Sequence, residues 1–113
     1  MATYDTTTHP LAFAHMEGGM KTVYVVPNSG ELSMVTSGDR VEFDDLGYIT
    51  VGTVRHYETL ADLIEAEGFS NVIPEASSPE EAIEALRGSV DWNGRSEDNG
   101  VLALRVRNAK RKS

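Results

Sequence analysis

The chain has 113 residues, 18 acidic against 10 basic side chains, 40% hydrophobic residues and no cysteine. A chain of this length supports one domain around one core, and the missing cysteines exclude a disulfide framework, a thiolate zinc site, an iron–sulfur cluster and a cysteine nucleophile. No apolar run approaches the roughly 20 residues that span a bilayer, and Met-Ala-Thr-Tyr-Asp lacks the pattern of a signal peptide, so a cytoplasmic protein without membrane contact is expected.

Residues 1–8 are Thr-rich and aperiodic, and a flexible end is expected over 1–10. His9 to Gly19 reads as a short helix carrying Leu11, Phe13 or Ala14, and Met16, stopped by Gly18-Gly19. Lys21 to Val26 is β-branched and aromatic and predicts a strand, with Thr22, Tyr24 and Val26 on one face and Lys21, Val23 and Val25 on the other. Residues 27–37 read as a loop. Arg40 to Phe43 forms the next strand, with Val41 and Phe43 inward. Tyr48 to about Tyr57 forms a longer one, where Gly52-Thr53 marks a bulge because Val54 is out of phase with Ile49 and Val51.

Two helices follow. Thr59 opens the first, which carries Leu60, Leu63 and Ile64 and stops at Gly68. Ser78-Pro79-Glu80-Glu81 opens the second with a capping box, Ala82, Ile83 and Leu86 form its buried stripe, and Gly88 ends it. Residues 91–100 are polar and turn-rich, with Asn93-Gly94 and Asn99-Gly100; Trp92 there is expected to cover one end of the barrel. Val101 to Arg107 is a closing strand with Leu102, Leu104 and Val106 inward. The order αβββααβ predicts an α+β, mainly β, domain over 11–107, a small and partly closed barrel with two or three short helices. A basic, solvated tail is expected over 108–113.

Charge is unevenly placed. Residues 1–104 hold all 18 acids against five bases, a charge of −13, whereas Arg105, Arg107, Lys110, Arg111 and Lys112 fall at the end. Such a body repels phosphate backbones at long range, leaving phosphate contacts to the tail.

The order and spacing of several motifs resemble the ASCH domain family, a branch of the PUA-like barrels, from about residue 11 to 107. The motifs are Gly19-Met20-Lys21-Thr22, Gly38 to Phe43, Val51 to Leu63, Glu65 to Gly68, Ile73-Pro74, Ser78 to Ala82, and Asn99 to Val106. The resemblance implies a small β-barrel with a cleft facing the first predicted strand and a role in RNA metabolism. Some members resemble RNA-binding modules, and others are small amidohydrolases that deacetylate N4-acetylcytidine or are ribonucleases. The family motif Gly-x-Lys-x-x-Glu-x-Arg is matched at Gly19 and Lys21, while Tyr24 stands for the acid and Val26 for the arginine.

Lys21 is the leading candidate: at a cleft it binds a phosphate or polarises a carbonyl, and desolvation makes it a usable base. Thr22 and Tyr24 supply hydroxyls, and Tyr24 is a stacking surface for a base. Glu65, Glu67 and Glu75 follow the long strand, and Glu67 is taken as the proton shuttle. Arg40 or Arg55 stands in for the missing arginine, and Tyr57 or His56 lines the cleft. His9, His15 and His56 lack metal-ligand spacing, so no metal is expected, and no motif calls for a cofactor. Gly18 to Thr22 is no phosphate loop, because a strand rather than a helix follows. Three readings stand open: recognition of RNA or a modified nucleoside around Lys21, Thr22 and Tyr24 with Arg40, Arg55 and Tyr57; a metal-independent amidohydrolase using Lys21, Tyr24 and Glu67; and a degenerate copy that binds a protein partner.

Overall fold

Apolar and β-branched segments of the chain set five strands, and a computed structural model describes them together with the rest of residues 1–92 and 94–112. The strands are β1 (Thr3–Thr6), β2 (Val23–Pro27), β3 (Arg40–Phe43), β4 (Gly47–Tyr57) and β5 (Val101–Arg111). The helices are α1 (Pro10–Glu17), α2 (Leu60–Glu67), α3 (Phe69–Val72) and α4 (Pro79–Arg87), with a 3-10 turn over Gly30–Met34. The expected order αβββααβ is kept, and β1, the 3-10 turn and α3 are added to it. Asn93 of the expected Asn93-Gly94 turn, and Ser113, lie outside the described residues.

The strands form one five-stranded sheet in the order β1-β3-β4-β5-β2, with β1 parallel to β3 and the other pairs antiparallel. Its curl follows from two irregularities between β4 and β5, one between Thr50 and Val51 and one between Val51 and Val54. The second is the bulge expected at Gly52-Thr53. The result is a half-open barrel.

Two expectations about the ends are corrected. Thr3–Thr6 is a strand, not a frayed end: it pairs residue for residue with Arg40–Phe43, and Ala2 N donates to Asp39 Oδ1 at 2.9 Å. The basic tail is strand as far as Arg111, where Asn108 to Arg111 pair with Thr50 to Gly47. Arg111 also pairs with Glu17 of α1. Neither segment has an apolar period of its own; partners distant in sequence order them.

Apolar side chains divide into two layers, where one core was expected. Tyr24, Val26, Val41, Phe43, Ile49, Val51, Leu102 and Leu104 meet Phe13 and Met16 of α1 on one face. Val23, Val25, Val101 and Ala103 meet Leu60, Leu63, Ile64, Val72, Ala82, Leu86 and Trp92 on the other. The pleat of β2 thus feeds both layers, which explains why all of Val23–Pro27 is buried. Trp92 is 5% exposed, and its Nε1 donates to Glu97 Oε2 at 3.0 Å, so it belongs to the second layer.

Both expected N-caps are present, although the return bond from the Glu81 side chain that would complete the capping box is not among the contacts of the described residues. Thr59 Oγ1 accepts from Asp62 N at 3.1 Å and Ser78 Oγ from Glu81 N at 3.2 Å, which fixes where α2 and α4 begin. Leu11 is 49% exposed instead of inward, because α1 turns Phe13 and Met16 to the sheet.

Candidate active site

Lys21 sits just ahead of β2, in the short link from α1. Its amide and that of Met20 both donate to His15 O at 3.0 Å, so the C-terminal end of α1 fixes the backbone. Its side chain is 2% exposed and runs under the C-terminal end of α3, where Nζ donates to Val72 O. Burial lowers its pKa from 10.5 to about 8, against the opposing pull of Asp91 and then Glu75. At neutral pH a usable fraction of this amine is uncharged.

Lys21 lines a cavity of about 280 Å³. Aliphatic walls come from Leu11 and Ala12 of α1, Ile73, and Ala85 of α4, while polar groups come from His9, Glu75, Ser89 and Asp91. Glu75 is half exposed and stands at the mouth, where its Oε1 lies 3.7 Å from His15 Nδ1. His15 Nδ1 is buried without a hydrogen-bond partner.

Asp91 is the deep carboxylate. It is 6% exposed, and burial raises its pKa, opposed by the Thr8 hydroxyl, Lys21, Tyr24 and Arg95. Thr8 Oγ1 is buried beside it without a full hydrogen bond. Tyr24 OH lies 3.5 Å from Asp91 Oδ1, at the outer limit of hydrogen bonding. Arg95 closes the back of the cluster, donating to Asp91 O at 3.3 Å and to Thr6 Oγ1 at 3.2 Å. β1 is thereby tied to the base of the site.

The expected site residues are distributed over three places. Lys21 and Tyr24 converge on Asp91 although they lie on alternate faces of the predicted strand, because Lys21 precedes the first paired residue, Val23. Tyr24 is fully buried, edge-on to Phe43 at 5.1 Å between ring centres, so it offers no face to a base. Burial followed by the Asp91 charge pushes its pKa well above 10, which keeps the hydroxyl protonated. Thr22 is half-buried and its backbone is used structurally, N donating to Asn71 O at 3.0 Å and O accepting from Val106 N at 2.9 Å.

Glu67, Arg55 and Tyr57 form a separate cluster between α2 and β4. Tyr57 OH donates to Glu67 Oε2, and Arg55 Nη1 lies 3.8 Å from the same oxygen. Arg55 and Glu67 line a small notch of about 60 Å³ that does not include Lys21. Arg40 is stacked on Tyr48 at 3.8 Å, in a cavity of about 270 Å³ with Arg111 and Lys112. The carboxylates beside Lys21 are therefore Glu75 and Asp91. Asp91 was missed because it sits in a polar, aperiodic stretch where burial leaves no local signal. Among the described residues no group of three or more His, Asp or Glu is placed to hold a metal ion, and no helix is long and apolar enough to cross a membrane.

No family model matches the sequence, and no curated protein matches it. The fold does have solved counterparts. The crystal structure of hypothetical protein PH0355 is 21% identical, with 98% of this chain and 99% of that chain covered at a TM-score of 0.79. The solution NMR structure of protein PF0455 from Pyrococcus furiosus is 20% identical, with 96% of each chain covered at a TM-score of 0.73. At these identities the likeness establishes the fold, a small α+β domain on a curled mixed sheet.

Proposed function

We propose that the protein is an ASCH-type amidohydrolase that takes a modified nucleoside into the Lys21 cavity and removes an acyl group from its exocyclic nitrogen. The observation that carries this reading is the buried Lys21 amine on an aliphatic-walled cavity, with Glu75 and Asp91 as its neighbouring acids. A volume of about 280 Å³ suits a nucleobase with a short acyl chain.

In the chemistry proposed, the uncharged Lys21 amine takes a proton from a water molecule, and the hydroxide so formed adds to the acyl carbon. The resulting ammonium is held by the charges of Asp91 and Glu75. It returns its proton to the departing nitrogen as the carbon–nitrogen bond breaks. The products are a carboxylic acid and the free exocyclic amine. Glu75, at the mouth, is the carboxylate placed to relay protons to solvent, the role expected of Glu67.

The test is an incubation of the protein with N4-acetylcytidine and related acylated nucleosides, followed by chromatography. Turnover by the wild type that is lost in Lys21→Ala and reduced at least tenfold in Glu75→Gln is expected. Turnover that persists in Lys21→Ala, or its absence with every acyl nucleoside, would reject the assignment.

A further inference from the structure

The helices do not cover the whole of their face of the sheet. Val101 and Ala103 lie beneath them, but further along β5 the side chains of Arg105 and Arg107 emerge into solvent. The two irregularities fall here. Thr50 pairs with Asn108 and Val51 with Val106, which leaves Arg107 extra on β5; Val54 pairs with Leu104, which leaves Gly52-Thr53 opposite Arg105 alone. Between the displaced segments opens a groove of about 370 Å³ lined by Ser37, Gly52, Thr53, Arg105, Val106 and Arg107.

The groove is built from fixed parts. A Cβ on Gly52 would come within 3.3 Å of Arg105 Cγ, so the glycine keeps the floor open beneath that arginine. The Ser37 wall is pinned by Asp39, whose Oδ2 accepts from Thr36 N at 2.9 Å and Thr36 Oγ1 at 3.2 Å, and by Gly38 N, which donates to Val51 O at 2.8 Å. Arg107 Nη2 donates to Ser37 Oγ at 3.3 Å.

The charges here are uncommitted. Arg55, Arg87 and Arg111 each meet a carboxylate, Glu67, Glu97 and Glu17 respectively. Among the described residues Arg105 and Arg107 pair with none. In a chain of net charge −8, two guanidinium groups without acids, facing a groove with two hydroxyls, are the inverse of the surrounding surface. No aromatic ring lines the groove and Val106 is its one aliphatic member, so it offers nothing for a base to stack on. A planar fork of donors matches an oxyanion.

We infer that this groove binds a phosphate group, held by Arg105 and Arg107 with the Ser37 and Thr53 hydroxyls beside them. It lies one strand from the Lys21 link, since Val106 N donates to Thr22 O at 2.9 Å. A phosphate on a nucleotide or on a polynucleotide supplies the same chemistry. The groove stands without the hydrolase reading, which bears only on what carries the phosphate.

The experiment is a titration of the full chain with three probes: inorganic phosphate, cytidine 5′-monophosphate and a fluorescein-labelled single-stranded oligoribonucleotide, each at two salt concentrations. At least one probe is expected to bind, and the Arg105→Ala/Arg107→Ala double variant to weaken it at least tenfold. Tight oligoribonucleotide binding with a steep salt dependence assigns the phosphate to a polymer; comparable binding of the mononucleotide with a shallow dependence assigns it to a free nucleotide. Both arginines are exposed, so the variant should melt as the wild type does, which separates lost binding from lost folding. Binding of none of the probes, or binding that ignores the double variant, overturns the groove. Phosphate binding by a wild type that deacylates none of the acyl nucleosides overturns the hydrolase reading alone.

Discussion

Lys21 carries opposite consequences for stability and for chemistry, and each is measurable. Folding holds its pKa near 8, whereas the unfolded chain releases the proton near 10.5. Below pH 8 the cost of burying the ammonium is fully present, and between 8 and 10.5 it is relieved, because there the unfolded state binds more protons. Wild-type stability from urea denaturation should therefore rise relative to Lys21→Met across that window; parallel profiles would show that Lys21 is not desolvated. In the proposed hydrolysis the same proton sets the rate. The pH profile of kcat/KM is expected to rise to a limb near 8, and Asp91→Asn should move that limb to lower pH further than Glu75→Gln does, since Asp91 is the stronger of the two raising charges. Lys21 was legible because it stands in the motif on which the family resemblance rests, and Asp91 was not, because the partners that mark it, Thr8, Lys21 and Tyr24, lie far from it in the chain. The choice of Glu67 over Glu75 failed on direction. Eight residues separate them, and the α3 turn between brings Glu75 to the cavity mouth while Glu67 stays with Tyr57.

At the scale of elements, the loop before β3 depends on one carboxylate. Asp39 accepts from Ala2 N, Thr36 N and Thr36 Oγ1, and these bonds, the backbone ones foremost, hold its pKa below 3.8. Its contribution is present above about pH 4 and lost as the pH falls through the lowered folded-state value. Asp39→Ala should cost about 1–3 kcal/mol in urea denaturation at pH 7, and the difference from wild type should shrink in acid. Gly47, the first residue of β4, has φ 152°, and a Cβ there would fall 2.1 Å from Lys110 O. Gly47→Ala is expected to cost about 3 kcal/mol because a backbone oxygen is in the way; a cost near zero would mean that the β4–β5 pairing is looser than described. The local signals that spoke plainly in the sequence were chemical: Thr59 and Ser78 as caps, Gly68 and Gly88 as stops, and the phase slip at Val54. β1 was silent because a four-residue edge strand of alternating half-buried residues is defined by its parallel neighbour, not by its own pattern.

Across the whole molecule, the end of β5 is structural. Removing the chain after Val106 deletes the pairing of Asn108 to Arg111 with β4 and the ion pair of Arg111 with Glu17. Such a truncation should lower the thermal midpoint even without ligand, and an unchanged midpoint would mark the segment as a detachable tail. Fold class was accessible from the sequence because strand periods and helix caps are local; the split into two layers was not, since it follows from the strand order. That order has a consequence for how the protein is made. β5 is the last of the five strands to leave the ribosome, yet it lies between β4 and β2 and, among the described residues, is the only neighbour of β2 in the sheet. Until it emerges, Val23–Pro27 has no strand partner, and the sheet cannot close while residues 28–100 are translated. The Val-Tyr-Val-Val segment is then an open apolar edge, the kind of surface that holdase chaperones cover. Its exposure ends only when the arginine-bearing strand arrives.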